Sequence, residues 1–308
     1  MYTRRNFLKA GAVVTAGLSL VSLERLFATV STTGGGGATG PVLAAVRDGS
    51  RREMVDAAIN ALGGMKAFVK PGQTVVVKPN IGWDVAPDLC ANTHPDVVGR
   101  VVELCVAAGA KSVTVFDNSC DQWQRAYANS GIEEAATRAG ATLVNGKDQS
   151  LYRETQIPAG VKLKSAKIHS AILDSDVIIN VPVLKHHSGT VMTASMKNLM
   201  GVIWDRGFYH KNDLHQCIAD FLTLRRPDLN ILDAYSPMVR NGPRGRGADD
   251  LVVVKALLAS PDIVAIDAAA AKLLDRQPTD IRHIALASAM GLGVMDLQKV
   301  DIRRIKMT

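Results

Sequence analysis

The sequence predicts an α/β protein built on a largely parallel sheet flanked by helices, with room for two lobes. Three observations predict it. Apolar, β-branched runs bounded by turn residues alternate with segments of helical period along the chain. Polar residues gather just after those runs, where an open parallel sheet collects its ligands. Beyond the N-terminal leader, about 265 residues remain, enough for one large domain with a sizeable core.

The chain opens with Arg4-Arg5, then Phe7-Leu8-Lys9 and an apolar stretch from Ala10 to Val21. That order reads as a twin-arginine export signal. The apolar stretch falls short of the about 20 residues that span a bilayer. Residues 1–28 are therefore expected to be the signal, cleaved near Ala28, with an uncleaved membrane anchor as the alternative. Residues 29–41 contain Gly34-Gly35-Gly36-Gly37 and bury too little apolar surface to order themselves, so they read as a flexible leader. Residues 42–308 are then a single α/β domain, and the expected destination is the periplasm.

Within that domain, strands are expected at Val42–Val46, Thr74–Lys78, Ser112–Phe116, Thr142–Val144, Asp176–Val181, Leu229–Leu232 and Leu251–Leu257. Helices fit Arg52–Leu62, Pro95–Ala108, Ile132–Ala139, Lys211–Leu224, Ile263–Leu274 and Ile281–Met290. The helix from Pro95 carries the fullest signals: Thr93 or His94 as cap, proline in the first turn and Gly109 closing it. The run from Gly242 to Gly247 reads as a solvated loop, with a lid as the functional alternative.

Lys and Arg number 36 against 29 Asp and Glu, a formal charge of +7. Arg4, Arg5, Lys9 and Arg25 against Glu24 account for three of these charges. The remainder is too mild for a nucleic-acid binder, and export argues the same way, but a basic site for a small anion is compatible with it. Cys90, Cys105, Cys120 and Cys217 form no C-x-x-C pair, so the chain writes no iron–sulfur cluster of its own. Cys105 falls on an apolar helical stripe and reads as core. Cys90 and Cys120, both after strands, are the two that an oxidising compartment could join.

Candidate site residues follow the strands: Lys78, Asn80 and Trp83; Asp117, Asn118 and Asp121; Asn180, Lys185, His186 and His187; and Asp233. Four of the seven histidines fall between positions 186 and 215, with Lys197 among them. Imidazole is the commonest metal ligand, and lysine serves as base, anion clamp or attachment point. The histidine spacing matches no zinc hydrolase pattern, and His210 to His215 does not place both on one helical face. Any single histidine is first a hydrogen-bonded structural residue; His94, His169 and His283 are assigned to that class. Lys197 is harder to dismiss, because a charge within the apolar run Met196–Met200 needs a partner when buried. Asp267 reads as a cap or a core hydrogen-bonding group.

Several blocks in order resemble the family catalogued as domain of unknown function 362: Lys78-Pro79-Asn80, Asn92-Thr93-His94-Pro95, Ala108 through Asp117, Ile179 through His187, Lys197-Asn198-Leu199-Met200-Gly201 and Val264 through Asp267. Some members are fused to ferredoxin modules, so the resemblance implies redox association, with any iron–sulfur cluster on a partner. The segment from Asp176 through His187 to Gly201 is also similar to that carrying the histidine and cofactor lysine of nickel-pincer lactate racemases, although Ala194-Ser195-Met196 stands where those have a glycine pair.

These readings converge on an exported cofactor- or metal-dependent α/β protein, enzymatic or redox-associated, with a Lys/His/Asp cleft. Lys197, Lys185 and Asp117 are its expected catalytic residues, Lys78, Asn80 and Asn198 its cofactor-binding residues, and His187, His210 and His215 its ligands for a metal ion. The alternative is a non-catalytic periplasmic binding or assembly protein for an anionic small molecule or a redox partner.

Overall fold

The computed structural model describes Leu26, Phe27 and residues 40–308. The export signal and the glycine leader otherwise lie outside the described residues. Ten strands form one sheet in the order β12-β1-β11-β10-β7-β2-β3-β4, with a hairpin of β8 and β9 attached to β10. The strands are β1 Val42–Arg47, β2 Thr74–Pro79, β3 Ser112–Val115, β4 Thr142–Leu143, β7 Val177–Val181, β8 Val183–His187, β9 Val191–Thr193, β10 Leu229–Met238, β11 Ala256–Ser260 and β12 Asp301–Lys306. Along the main path every pairing is parallel except those of β11, which runs against both β1 and β10.

The central strands are buried on both faces, which is why they read as continuous Val and Ile runs instead of alternating. One face packs on the helices Arg51–Ala61 and Pro95–Ala107, the other on the helix Ile263–Leu273. The Pro95 helix starts as its signals require. His94 is the cap, its ring accepting from Asp96 N, and Gly109 takes φ +95° just past the end. Ile263–Leu273 is capped by Asp262, which accepts from the backbone of Val264 and Ala265.

Several expectations are corrected. The segment expected as one helix over Lys211–Leu224 is two, Gly207–Lys211 and Leu214–Phe221, because Asp213 caps the second and breaks the first. The strand expected at Leu251–Leu257 begins only at Ala256; Lys255 turns the chain with φ +51°, and residues before it make irregular bonds to Tyr235 and Pro237. The run ending at Val181 continues past Pro182 as β8, proline lacking the N–H that would continue the ladder. β10 extends through Met238, so Asp233 lies within a strand and not after one. A hairpin of β5 Tyr152–Gln156 and β6 Ser165–His169 lies outside the expected strands: β5 is polar after Tyr152, and β6 offers only Ala166 and Ile168 as a short alternation.

Leu26 and Phe27, inside the expected signal, are buried against the domain. Arg304 Nε donates to Leu26 O at 2.8 Å, and the Arg47 guanidinium lies 5.3 Å from the Phe27 ring centroid. No helix among the described residues is long and apolar enough to cross a membrane. Among the described residues all four cysteines are free; Cys105 is buried, as its stripe predicts, and Cys120 is exposed.

Candidate functional site

Parallel strands deliver their carboxyl ends to one edge of a sheet, and here three of them meet a short helix to enclose a cleft of about 340 Å³. β2 supplies Lys78 and then Asn80. The turn after β3 supplies Asp117 and Cys120, β8 supplies Lys185 and His187, and the helix Ser195–Asn198 supplies Lys197 and Asn198. Arg206, His210 and Pro243 close the sides. A roomier groove of about 620 Å³ lies beside β6, lined by Leu163, Ile203, Trp204 and Phe208. It lacks the lysine cluster, so the smaller charged cleft is the candidate site.

The floor is an ion pair. Lys78 Nζ lies 2.9 Å from Asp117 Oδ1, and it also donates to Pro79 O at 2.7 Å and Asn198 Oδ1 at 3.1 Å. Two ammonium donors therefore meet amide oxygens, and the charge as a whole meets the carboxylate. Asp117 Oδ2 accepts from Ile81 N at 2.7 Å. Only glycine fits above this pair: a Cβ on Gly201 would stand 1.9 Å from Asp117 Oδ1 and 2.7 Å from Lys78 Nζ. Burial pushes Lys78 below the usual lysine range while Asp117 pulls it back.

The rim carries cations without matching carboxylates. Lys185, 1% exposed, donates to Asn80 Oδ1 at 3.0 Å and to the Ala91 carbonyl. Burial lowers its pKa to about 7, with repulsion from Lys197 and Lys78 adding to the shift. Lys197 falls to about 8, through burial and then the repulsion of Arg206 and Lys78. Arg206 donates to Ser119 O at 3.1 Å and reaches Cys120 Sγ at 3.4 Å. His187 is driven to about 3 by burial and by Lys197 and Lys185, so it is neutral at physiological pH. Its Nδ1 accepts from Gly189 N at 3.0 Å, which leaves the ring proton on Nε2.

The helix carrying Lys197 is held from below. Asp267, in mid-helix and fully buried, accepts from Ser195 N at 2.7 Å and Met196 N at 2.9 Å. That is the capping and core role its sequence context suggests. Burial raises its carboxyl to about 7 in spite of these bonds.

Of the sequence-derived residues, Lys197, Lys185, Asp117, Asn80, Asn198, His187 and His210 line this cleft, and Lys78 lies beneath it. His215 does not join them: its Nδ1 lies 3.2 Å from Nδ1 of buried His283. Among the described residues no three His, Cys, Asp or Glu side chains converge to hold a metal, so His187, His210 and His215 are not assembled as a ligand set. His169 caps the helix Ser170–Asp174, as a structural histidine should. The sequence reading missed Arg206, Cys120 and Gly201 as site residues; Arg206 and Cys120 sit in irregular turns whose place in space no local pattern encodes. Pro243, from the expected surface loop, also lines the cleft, and Arg244 stands 5.9 Å from the Trp83 ring and 3.8 Å from Asp121.

A largely parallel α/β sheet with a lysine-rich cleft at its carboxyl edge defines the class. The chain belongs to the family described as Domain of unknown function (DUF362), which matches residues 75–272, and a twin-arginine translocation pathway signal matches residues 1–21. It is 28% identical over 243 residues to a thylakoid-associated protein of Synechocystis, covering 76% of this chain and 73% of that one. Among solved structures, the lactate racemase apoprotein of Thermoanaerobacterium thermosaccharolyticum is similar at 10% identity and a TM-score of 0.47, and a Thermotoga maritima protein at 11% and 0.39. The chain spans 56% and 59% of those two.

Proposed function

We propose that the protein acts outside the cytoplasm as an enzyme on a small anionic substrate, a carboxylate or a phosphate, bound between Lys185, Lys197 and Arg206. One observation carries this reading: three cations and two histidines face a cleft whose only lining carboxylate among the described residues, Asp117, is already committed to Lys78. Cations gathered without counter-charge repel one another, and an anion entering the cleft relieves that cost.

Lys197 and Lys185, lowered to about 8 and about 7, exchange protons near neutrality, as acid–base groups must. Neutral His187 offers its Nε2–H as a hydrogen-bond donor to the bound anion. The binding-protein alternative keeps the same cleft and the same ligand class without turnover.

The test is thermal melting of the purified protein with inorganic phosphate and with small mono- and dicarboxylates. A concentration-dependent rise that is lost in Lys197→Ala supports the reading. No rise with any of these anions, together with Lys197→Ala melting lower than the parent, contradicts it. Export is tested separately: Arg4→Lys with Arg5→Lys should strand the protein in the cytoplasm, since the exporter reads the arginine pair and not charge alone.

A further inference from the structure

Four asparagines stand in file from the interior of the sheet to the cleft, and every bond in the file has a fixed direction. Asn230, on β10, donates through Nδ2 to the Ser260 carbonyl at 3.2 Å. A carbonyl only accepts, so Asn230 Oδ1 must face the other way, where it receives Asn180 Nδ2 at 2.9 Å. Asn180 Nδ2 also donates to the Ser195 carbonyl at 2.9 Å, which leaves its Oδ1 to accept from Asn198 Nδ2 at 2.8 Å. Asn198 Nδ2 is fixed a second time by the Lys78 carbonyl at 3.2 Å. Its Oδ1 then faces the cleft floor, accepting from Lys78 Nζ at 3.1 Å and Asn80 Nδ2 at 2.9 Å, and Asn80 Oδ1 is turned toward Lys185.

We propose that Asn180 and Asn230, neither of which lines the cleft, are positioning residues of the site. Their amides fix the direction of Asn198 and Asn80, so that oxygens and not NH2 groups face the lysines. The inference deepens the anion-site reading and rests on it for its functional meaning. An ammonium has donors only; a reversed Asn198 amide would leave one Lys78 N–H without an acceptor and set two positive ends together. Asn180, Asn198 and Asn230 are at most 2% exposed, so no solvent is at hand to repair a reversal. The other groups bearing on Lys78 are Asp117 and, at longer range, Cys120, which favour its charge, and Arg206, Lys185 and Lys197, which oppose it.

The experiment compares the full exported chain with Asn180→Leu, of similar size but without donor or acceptor. Two quantities are measured: the titration of Lys78, followed by NMR of its ε-carbon, and calorimetric binding of inorganic phosphate across neutral and alkaline pH. In Asn180→Leu, Lys78 should lose its proton at lower pH than in the parent, because Asn198, left with the Lys78 carbonyl alone to orient its amide, holds its oxygen less firmly against the ammonium. Phosphate binding should weaken as well, because the Asn80 amide that holds Lys185 is no longer fixed through Asn198. Asn230→Ser should move both in the same direction by less, and it carries the test if Asn180→Leu does not fold. An unmoved Lys78 titration in a folded variant overturns the inference whatever the binding does. A shifted titration in a protein that binds no phosphate leaves the asparagine file standing and removes the anion reading instead.

Discussion

Asp117, just past the end of β3, and Asp233, inside β10 beside the end of β7, each meet a cation, yet only one of them belongs to a cleft. Asp233 receives the backbone N–H groups of His94 and Tyr235, at 3.2 Å and 3.1 Å, and lies 3.6 Å from Arg51, whose guanidinium covers the Tyr235 ring at 4.0 Å. Charge there is matched and the space is filled. Around Asp117 the first cation, Lys78, uses up the carboxylate, and Lys185, Lys197 and Arg206 remain. A buried carboxylate paired with a cation is thus a weak sign of function; surplus charge around an open space is a stronger one.

The comparison can be broken by substitution. The largest effect is expected from Asp117→Ala, which strands Lys78 as a buried charge and should cost about 3–5 kcal/mol in urea denaturation. Gly201→Ala should approach it, since the added Cβ displaces the same pair. Asp267→Ala removes the acceptor of two buried N–H groups and should cost about 2–4 kcal/mol while loosening Lys197, so anion affinity should fall as well. Arg51→Ala should cost least, about 1–2 kcal/mol, because Asp233 keeps its backbone donors. That variant should bind anions as the parent does, which separates the two carboxylates in one calorimetric titration.

Much of this was legible in the chain. The parallel half announces itself through Thr74–Val77 and Val177–Ile179, continuous apolar runs that only a doubly covered sheet explains, and the polar groups that end them marked the cleft. Lys197 stood out as a cation in an apolar run. What stayed hidden depends on contacts remote in sequence. Arg206 reaches the site from an irregular turn, and the backbone groups that Asp267 holds, Ser195 N and Met196 N, are about seventy residues away in sequence. His215 fell out because a histidine count cannot tell a ring facing the cleft from one facing His283. β8 was masked by its continuity with β7 across Pro182, and β5–β6 by the brevity of its apolar face, Tyr152, Ala166 and Ile168.

Lowered lysines give the central claim a signed test. Lys185 at about 7 and Lys197 at about 8 lie below the unfolded value of about 10.4, so folding releases protons between these limits. The ligand-free protein should therefore gain stability as pH rises from about 7 toward about 10. A bound anion needs the ammonium forms, so its contribution should run the opposite way, full below about pH 7 and fading above about pH 8. The direct measurement is the melting temperature with and without inorganic phosphate at about pH 6.5 and about pH 9.5. At one hundred times its dissociation constant, phosphate should add about 2.7 kcal/mol, a rise of about 5–10 °C, at the lower pH and little at the higher. An equal rise at both, or the same rise in Lys197→Ala, would contradict the account.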